Sequence, residues 1–383
     1  MNHRSILLGL SVLAVMGTAL PATAQEAFDW RRYEGSTINV ALSKWVVNDL
    51  LAARLADFEA LTGIKANVEV LPEVQNREKL TIAFSSGGKN IDVFSTQSTN
   101  EGLQYLTAGW YEPLDPYLDD PSMTPPEYGY PDDFLQTSLD AGVVNGTRID
   151  IPIYASAVIL AYRTDLLEAA GIAVPETFEE LEEAARKLDD PANGQYGICM
   201  RGIGPGAAAI VGSFFHAMGG SWVDENHDPA LTTPEVQKAV EYYVRVVTES
   251  GPPGLLNIDW LQCQNLFASG RVAMELDVNA TMPPLLDETK SQVADKTGFA
   301  LIPAGPGGAR VPGFDSPGYA IYSGSENKGP AWYFILWATN AENNLNAQLN
   351  GVPTPRNSAW AAPEVQADTK FAGLRDATLK TLQ

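Results

Sequence analysis

Four aromatic residues stand beside polar or charged residues in segments that read as loops, namely Trp45, Tyr154, Trp222 and Phe314. An aromatic ring offers an apolar surface to the C–H groups of a sugar or polyol, and Asp, Asn, Glu and Arg side chains can hydrogen-bond its hydroxyl groups. This combination predicts a binding site for an uncharged, hydroxylated small molecule. Core packing is the more frequent role of any single aromatic residue, so the four are candidates only.

The sequence lacks the motifs of two common enzyme classes. Neither H-E-x-x-H nor G-x-S-x-G occurs, so a zinc protease and the nucleophile elbow of an α/β-hydrolase have no support. Carboxylates are abundant, and a pair suited to glycoside hydrolysis therefore stays an open alternative. We expect no catalytic residue. A sugar-active hydrolase would instead convert its ligand to a product.

Residues 202–207 (GIGPGA) follow an apolar segment and match the dinucleotide fingerprint G-x-G-x-x-A. Pro205 removes one backbone N–H from the loop that should bind the phosphates, and an exported protein meets little dinucleotide. The alternative is a loop that brings its backbone close to another ligand. We therefore expect no cofactor.

A second partial motif is a calcium loop in residues 224–235. Positions 1, 3, 5 and 12 of the loop carry residues that commonly bind calcium, which are Asp224, Asn226, Asp228 and Glu235. The glycine that the loop needs at position 6 is replaced by Pro229. Glu235 is also explained as an acid in the first turn of a helix, so calcium is only an alternative here.

Predicted strands and helices alternate in the first hundred residues. Strands are predicted at 37–42, 66–71 and 91–94, and helices at 46–61 and 76–84, with Gly63 ending the first helix. This rhythm predicts a parallel sheet covered by helices, in which ligands bind beyond the carboxyl ends of the strands. The polar and aromatic residues at those ends are Lys44, Trp45, Glu73, Gln97 and Ser98.

The composition bounds the class of protein. The chain has 383 residues, 45% hydrophobic and 19% charged, which favours a folded protein of about two domains. The net charge of −22 repels phosphate backbones, so we expect no nucleic-acid partner. The same charge disfavours docking on anionic lipid.

Residues 1–24 have the features of a secretory signal peptide. A basic start precedes an apolar run at 6–16, and the small-residue site at 22–24 (ATA) predicts cleavage before Gln25. The apolar run is too short to span a bilayer. We therefore expect a soluble protein exported to the periplasm.

Two states are open for the two cysteines, Cys199 and Cys263. In an oxidising compartment they could form a disulfide, and the alternative is a pair of buried thiols. The sequence does not give their separation in space, so both states stay open.

Eight short segments form a combined pattern. They are 90–94 (NIDVF), 108–114 (AGWYEPL), 151–154 (IPIY), 161–172 (AYRTDLLEAAGI), 266–274 (LFASGRVAM), 318–321 (GYAI), 331–338 (AWYFILWA) and 352–356 (VPTPR). In this order and spacing they resemble the family 1 extracellular solute-binding proteins of ABC importers. The similarity extends over nearly the whole chain after the predicted signal peptide. Members of the family usually continue beyond the position of Gln383.

Three further segments are most similar to the sorbitol- and mannitol-binding branch, namely 197–202 (GICMRG), 251–254 (GPPG) and 337–339 (WAT). The chain departs from that branch at Ser156, where an acid is common, and at Glu275, where an aromatic residue is usual. It also has 314–317 (FDSP) in place of a Trp-rich segment. The resemblance therefore leaves the particular sugar or polyol undefined.

The resemblance implies an α/β fold of the two-lobed periplasmic-binding-protein type (type II). Each lobe would be a mostly parallel sheet flanked by helices, and a hinge would let the lobes close on a ligand. The implied N-terminal lobe comprises 25–149 and 306–350, and the C-terminal lobe 150–305 and 351–383. The chain would cross between lobes near Asp150, Pro303 and Gly351.

The resemblance also implies site residues and partners. Family likeness places Glu73, Arg77, Tyr154, Arg163, Arg201 and Asp277 around the cleft. With the residues above, the ligand-binding candidates are Lys44, Trp45, Glu73, Arg77, Gln97, Ser98, Tyr154, Ser156, Arg163, Arg201, Trp222, Asp277, Asn279, Phe314, Asp315 and Arg356. A monomer would bind a carbohydrate or polyol and deliver it to the permease subunits of an ABC importer.

Other solutes stay open as alternatives, namely an oligosaccharide, a polyamine or an iron complex. A polyamine would require several acids in the cleft. An iron complex would favour paired tyrosines, and Tyr242 and Tyr243 are adjacent on a predicted helix, so the second faces away from the first.

Overall fold

The structure, a computed structural model, describes residues 27–203, 206–226, 228–254 and 257–382. The predicted signal peptide at 1–24 lies outside the described residues, as do residues 204–205 of the dinucleotide-like motif. None of the described helices combines the length and the apolar character needed to cross a membrane.

The strands, in chain order, are β1 (Thr37–Ser43), β2 (Lys65–Leu71), β3 (Val93–Thr96), β4 (Val143–Val144), β5 (Thr147–Arg148), β6 (Ile151–Pro152), β7 (Ser156–Arg163), β8 (Tyr196–Cys199), β9 (Val272–Val278), β10 (Thr297–Leu301), β11 (Phe314–Asp315) and β12 (Gly318–Ile321). The helices are α1 (Val46–Ala52), α2 (Leu55–Thr62), α3 (Glu73–Ser85), α4 (Ser98–Thr107), α5 (Asp115–Leu118), α6 (Gln136–Ala141), α7 (Thr164–Ala170), α8 (Phe178–Leu188), α9 (Ala207–Ala217), α10 (Pro234–Ser250), α11 (Trp260–Ala268), α12 (Lys328–Ala338), α13 (Ala341–Leu349), α14 (Asn357–Ala361), α15 (Pro363–Ala367) and α16 (Ala372–Leu382).

The first sheet has the strand order β2-β1-β3-β12-β6. β1 runs parallel to β2 and β3, from Thr37 opposite Lys65 to Ser43 opposite Leu71, and β12 is antiparallel to β3 and β6. The β-α-β-α-β unit predicted from the first hundred residues is therefore confirmed. Its carboxyl edge is where the predicted strand-end residues emerge.

Helix α12 forms the centre of the first lobe's core. Residues 330–338 are all buried, and Phe334 and Trp337 pack against Phe58 of α2 at ring distances of 5.3 and 5.2 Å. A helix that is apolar on every side must be enclosed by other elements. The run of aromatic residues in 331–338 is therefore explained by the core.

The helix predicted over 46–61 is two helices, α1 and α2. Arg54 lies between them and donates hydrogen bonds to Asp57 at 3.0 Å and to Asn343 of α13 at 2.7 Å. Gly63 ends α2 with φ of 69°, as predicted, because this left-handed conformation favours glycine. The local period could not indicate the break, because Asn343 is 289 residues away in the chain.

The second sheet has the order β10-β7-β9-β8, with β11 also paired to β7. Among the strands described for this sheet, only β8 and β9 are parallel, while β7 is antiparallel to β9, β10 and β11. The predicted mostly parallel sheet is therefore wrong for this lobe. The reason is that β7 enters from the first lobe and runs away from the cleft, whereas β8 and β9 lead towards it.

Within the part of the chain that the structure describes, three segments pass between the two sheets. The first is residues 153–155, between β6 and β7, close to the crossing predicted near Asp150. The second is residues 316–317, between β11 and β12. The third lies between α15, which packs with α13, and α16, which packs on β10 and β7.

Two of these crossings lie later in the chain than predicted. Ala304, beside the crossing predicted near Pro303, still donates its N–H to the oxygen of Glu176 in the second lobe at 2.7 Å. The segment after Gly351 stays on the first lobe, since Val352 belongs to that lobe's core. By their pairing and packing, the first lobe is therefore residues 27–152 and 318–367, and the second is 156–315 and 372–382.

Candidate ligand-binding cleft

A cavity of about 540 Å³ lies between the lobes and is lined by residues of both. The first-lobe wall is defined here as the lining residues Trp45, Glu73, Gln97, Thr99 and Asn100. The floor is Tyr154, in the first crossing, and Asp315, next to the second. The opposite side is called the second-lobe wall.

The first-lobe wall stands at the carboxyl edge of the parallel strands. Trp45 follows β1, Glu73 begins α3 after β2, and Gln97 follows β3. The indole Nε1 of Trp45 donates a hydrogen bond to Glu73 Oε2 at 3.2 Å. The strand-end reasoning therefore identified three residues that line the cavity.

Arg77 lies behind this wall and connects its members. Its Nε donates to Glu101 Oε2 at 2.9 Å, its Nη2 donates to Gln97 Oε1 at 2.9 Å, and both Nη atoms lie 3.4 Å from Glu73 Oε1. Burial disfavours the guanidinium charge, but Glu101 and Glu73 outweigh it and raise the pKa of Arg77. Arg77 does not line the cavity; it positions Glu73 and Gln97, which do.

The floor joins the two lobes. Asp315 accepts hydrogen bonds from Gln97 Nε2 at 3.0 Å and from Thr99 Oγ1 at 3.1 Å. Burial raises the pKa of Asp315 to about 6, although the Thr99 hydrogen bond opposes the shift. Tyr154 packs edge-on against Trp45 with ring centroids 5.8 Å apart, and its burial raises the phenol pKa well above the usual value.

An Arg–Asp pair stands at the base of the second-lobe wall. Arg201 follows β8, lines the cavity, and binds the Asp277 carboxylate of β9 through Nε, at 2.9 Å, and Nη2. Burial disfavours the guanidinium charge, but Asp277 outweighs it and raises the pKa of Arg201. Asp277 is fully buried behind Arg201, so its role is to hold the guanidinium in place.

Glu275 precedes this pair on the same face of β9. It is fully buried, and neither carboxyl oxygen has a hydrogen-bond partner among the described residues. Burial, and then the nearby Asp277 charge, raise its pKa well above the usual value. A neutral Glu275 leaves Asp277 as the partner of Arg201.

The rest of the second-lobe wall is a helix face with little side-chain bulk. Ala208, Gly212 and His216 follow one another at intervals of four on α9 and all line the cavity. Trp222 closes this face and packs edge-on against Phe215 with ring centroids 4.5 Å apart. The Nδ1 of His216 lies 3.0 Å from the Gly220 oxygen.

The model of the family "Bacterial extracellular solute-binding protein" matches residues 44–345 of the chain. This chain belongs to that family. The resemblance read from the eight sequence segments is confirmed, and the family consists of binding proteins rather than enzymes.

Two similar binding proteins support the assignment to this family. The mannitol-binding protein of Pseudomonas aeruginosa is 34% identical over 319 residues, which cover 82% of this chain and 71% of that protein. The erythritol/L-threitol-binding protein of Mycolicibacterium smegmatis is 30% identical over 361 residues, which cover 90% of this chain and 76% of that protein.

A solved structure extends the comparison to the fold. It is an ABC transporter solute-binding protein from Agrobacterium radiobacter K84 in complex with ribitol. The TM-score is 0.83 at 30% identity, and the alignment covers 91% of this chain and 87% of that one. The predicted two-lobed α/β fold of the type II periplasmic binding proteins is therefore confirmed.

The structure brings half of the predicted site residues to the cavity. Those that line it are Trp45, Glu73, Gln97, Tyr154, Arg201, Trp222, Phe314 and Asp315. Those that support lining residues without lining it are Arg77, Asp277 and Ser156, whose hydroxyl donates to the Asp315 backbone oxygen at 3.1 Å. Their roles in binding stay predictions.

Three more predicted residues lie near the cleft and point into other contacts. The Lys44 ammonium pairs with Asp49 at 3.1 Å. The Ser98 hydroxyl donates to buried Asp150 near the first crossing. Asn279 accepts from the Ala157 N–H at 3.2 Å and donates to Thr378 Oγ1 at 3.0 Å, and so holds β7 to α16.

Arg163 and Arg356 do not line the cavity. Arg163 ends β7, at the opposite end of the strand from Ser156, which contacts the floor residue Asp315, and it pairs with Asp165. Arg356 is fully buried in the first lobe, where it donates to the Thr339 oxygen at 2.7 Å and to Asp133 at 2.8 Å. The structure therefore gives both residues structural roles, because their strands and loops carry them away from the cleft.

The calcium alternative does not match the local structure. Asp224 Oδ1 accepts the N–H groups of Asn226 at 2.8 Å and Asp228 at 3.0 Å, which makes a turn. Glu235 lies in the first turn of α10. Among the described residues, no three His, Cys, Asp or Glu side chains are grouped to hold a metal ion.

Sequence reasoning missed several lining residues, above all Thr99, Asn100, His216 and Trp260. One signal could have found His216, because Ala208 and Gly212 precede it at helical spacing in an otherwise apolar helix. Trp260 has only an N-terminal capping signal in front of it. Its position depends on where α11 sits against the sheet.

Proposed function

We propose that this chain captures an acyclic sugar alcohol in the cleft, in the periplasm, and delivers it unchanged to the permease subunits of an ABC importer. The proposal rests on the agreement between the ligands named for similar proteins and the groups that line the cavity. The similar proteins are named for mannitol, for erythritol or L-threitol, and for a ribitol complex. The cavity is lined by groups that suit such ligands.

The lining combines hydroxyl-binding groups with aromatic surfaces. Gln97, Asn100 and Arg201 supply amide and guanidinium groups, and Glu73 and Asp315 supply carboxylate oxygens. A polyol hydroxyl both donates and accepts, so it can satisfy either kind of group. A ligand that leaves one of these buried groups unpaired binds less tightly, which supports discrimination by the hydroxyl pattern.

The polyamine alternative finds less support. Glu73 already accepts a hydrogen bond from Trp45 and faces Arg77, and Asp315 already accepts from Gln97 and Thr99. An ammonium group would have to compete with these partners for each carboxylate. Polyamine binding is therefore disfavoured.

The iron alternative is also disfavoured. Tyr242 and Tyr243 are both buried in the second lobe's core. Their hydroxyls donate to the backbone oxygens of Phe178 and Arg201, each at 2.6 Å. Neither phenol is therefore available as an iron ligand in the cleft.

The test is a calorimetric and thermal-shift panel on the purified mature protein. The panel contains ribitol, D-mannitol, erythritol, maltose and putrescine. We expect at least one sugar alcohol to bind, and at one hundred times its Kd to stabilise the fold by about 2.7 kcal/mol. Binding of maltose or putrescine alone, or chemical conversion of the ligand, would contradict the proposal.

A variant pair connects the result to the cleft. Trp45→Ala should weaken sugar-alcohol binding by about tenfold or more, because the aromatic surface and the hydrogen bond to Glu73 are both lost. Trp30→Ala is the matched control, since Trp30 packs against Phe28 and Tyr333 outside the cavity. Equal affinities in both variants would remove Trp45 from the site.

A further inference from the structure

We propose that Trp260 is the second-lobe residue that clasps the first lobe around a bound ligand, and that the Cys199–Cys263 disulfide holds it in position for this role. The proposal rests on the proposed function, because it concerns the same cleft. It assigns a positioning role to a covalent bond that neither the composition nor the lining residues explain. The argument begins with the place of Trp260.

Trp260 faces the first lobe from the opposite side of the cleft. It lines the main cavity together with Trp45 and Tyr154. It also packs against the buried cluster that contains these two residues and Ala280, and it borders with them a second, small cavity of about 20 Å³. Trp222, in contrast, packs on Phe215 of its own lobe. Trp260 is thus the second-lobe tryptophan positioned against Trp45 of the first lobe and Tyr154 of the floor.

The start of α11 is defined by hydrogen bonds around Asp259. Its Oδ1 accepts the N–H groups of Leu261 at 2.9 Å and Gln262 at 3.0 Å, and the Gln262 side chain accepts the Asp259 N–H at 2.8 Å. This reciprocal cap makes Trp260 the first helical residue. The cap sets where the helix begins, but it does not connect the first turn to the sheet.

The disulfide attaches this first turn covalently to the second sheet. Cys263 lies three residues after Trp260, on the same side of α11, and Cys199 ends β8, two residues before Arg201. Of the two alternatives for the cysteines, the structure shows the disulfide, with Cα atoms 5.5 Å apart and both residues buried. The bond therefore ties the first turn of α11 to the strand that carries Arg201 towards the cavity.

The remainder of α11 does not need the disulfide to stay in place. Phe267 and Ala268 are buried in the core cluster on the same face of the sheet, and Gln264 donates to the Thr281 oxygen. Without the bond, the last turns keep this packing while the first turn, with Trp260, loses its covalent tie. Loss of the disulfide should therefore reduce ligand affinity through Trp260 while the lobe remains folded.

The experiment is a double-mutant cycle of four proteins: wild type, Trp260→Ala, Cys199→Ala with Cys263→Ala, and all three changes together. The ligand is the sugar alcohol that the wild type binds most tightly in the panel. Removing the disulfide should weaken binding about tenfold in the wild type and less than twofold in the Trp260→Ala background. A disulfide that only stabilises the fold would lower affinity by the same factor in both backgrounds, which would overturn the proposal.

Trp222→Ala provides the matched background. It also removes a cavity-lining tryptophan of the second lobe, but one that is not on α11. Disulfide loss should cost the same factor here as in the wild type. A cycle that shows the same coupling for Trp222 and Trp260 would contradict a specific link to α11.

Circular dichroism and thermal melting establish that each variant is folded. If the double alanine variant does not fold, the comparison is made on wild type and Trp260→Ala reduced with TCEP, with free thiols counted by mass spectrometry. A wild type that binds no sugar alcohol would refute the proposed function. A wild type that binds, with equal losses in both backgrounds, would refute the clasp alone.

Discussion

The first-lobe wall of the cleft is held by side-chain hydrogen bonds, whereas the second-lobe wall depends on one buried ion pair and a helix face with little bulk. On the first side, Arg77 connects Glu73 and Gln97, and Gln97 reaches Asp315 on the floor. On the second side, Arg201 is held by Asp277, and the α9 face offers alanine and glycine. The first-lobe wall is therefore fixed by its hydrogen bonds, whereas the second-lobe wall leaves space for a ligand.

This difference has a consequence for specificity. Groups in a fixed network can each present one orientation to a ligand, so the first-lobe wall should discriminate between hydroxyl patterns. A wall with space tolerates ligands of different length. Substitutions in the first-lobe wall should therefore change the preferred hydroxyl pattern, and substitutions in the second-lobe wall should change the tolerated ligand length.

The largest expected effect comes from breaking the ion pair. Asp277→Ala leaves the Arg201 guanidinium buried without its partner, which costs about 3–5 kcal/mol in unfolding free energy for such pairs. We expect binding to weaken more than tenfold, because Arg201 loses its orientation. Urea unfolding and calorimetry measure the two effects.

The matched control for that variant is Asp165→Ala. It breaks another Arg–Asp pair, with Arg163, at the end of β7 away from the cavity, where Asp165 is 37% exposed. Because Arg163 is only 9% exposed, this variant should also lose stability, but binding should not change, since the pair lies away from the cavity. Unaltered affinity in folded Asp277→Ala would show that the second-lobe wall does not depend on the pair.

A second prediction concerns the residue that joins the walls. The pKa of Asp315 is raised to about 6 in the folded state, above an unfolded value of about 3.9. The folded state therefore holds the proton more tightly, and the free energy of unfolding falls as pH rises from about 4 to about 6. Asp315→Asn should remove about 2–3 kcal/mol of that fall, measured by urea unfolding at pH 4 and 7.

Two comparisons sharpen this test. Asp150, buried near the first crossing with a pKa raised to about 7, contributes in the same direction and remains in the variant, so the difference between the two proteins is what counts. Asp376→Asn, at an exposed position, should keep the wild-type slope. Identical slopes in wild type and Asp315→Asn would contradict the burial of an ionisable group on the floor.

The smallest effect tests the room in the second-lobe wall. A Cβ on Gly212 would lie 3.4 Å from the Trp222 ring, which is ordinary contact, so Gly212→Ala should fit. The variant should gain about 0.5–1 kcal/mol in stability, because glycine is unfavourable inside a helix. Binding should weaken about threefold as the methyl group enters the cavity. A stabilised variant with unchanged affinity would mean that the ligand does not approach α9.

Local patterns predicted the first-lobe wall better than the second. Trp45, Glu73 and Gln97 could be placed because the carboxyl ends of parallel strands meet at one edge. Arg201 and Asp277 came from family likeness, and Trp260 was missed, because its position depends on how α11 packs on the sheet. Arg163 and Arg356 were misplaced because the direction of β7 and the third crossing depend on long-range pairing.

The second lobe's sheet comes from one uninterrupted stretch, from β7 to β11, whereas β3 in the first sheet must find β12 after that whole stretch has been made. Closing such a long loop costs chain entropy before any contact offsets it, and non-local pairing is slow. The half of the molecule that carries Arg201 is therefore expected to assemble early. The first lobe then forms its β3–β12 pairing after the second lobe's sheet, which lies between these strands in the chain, has folded.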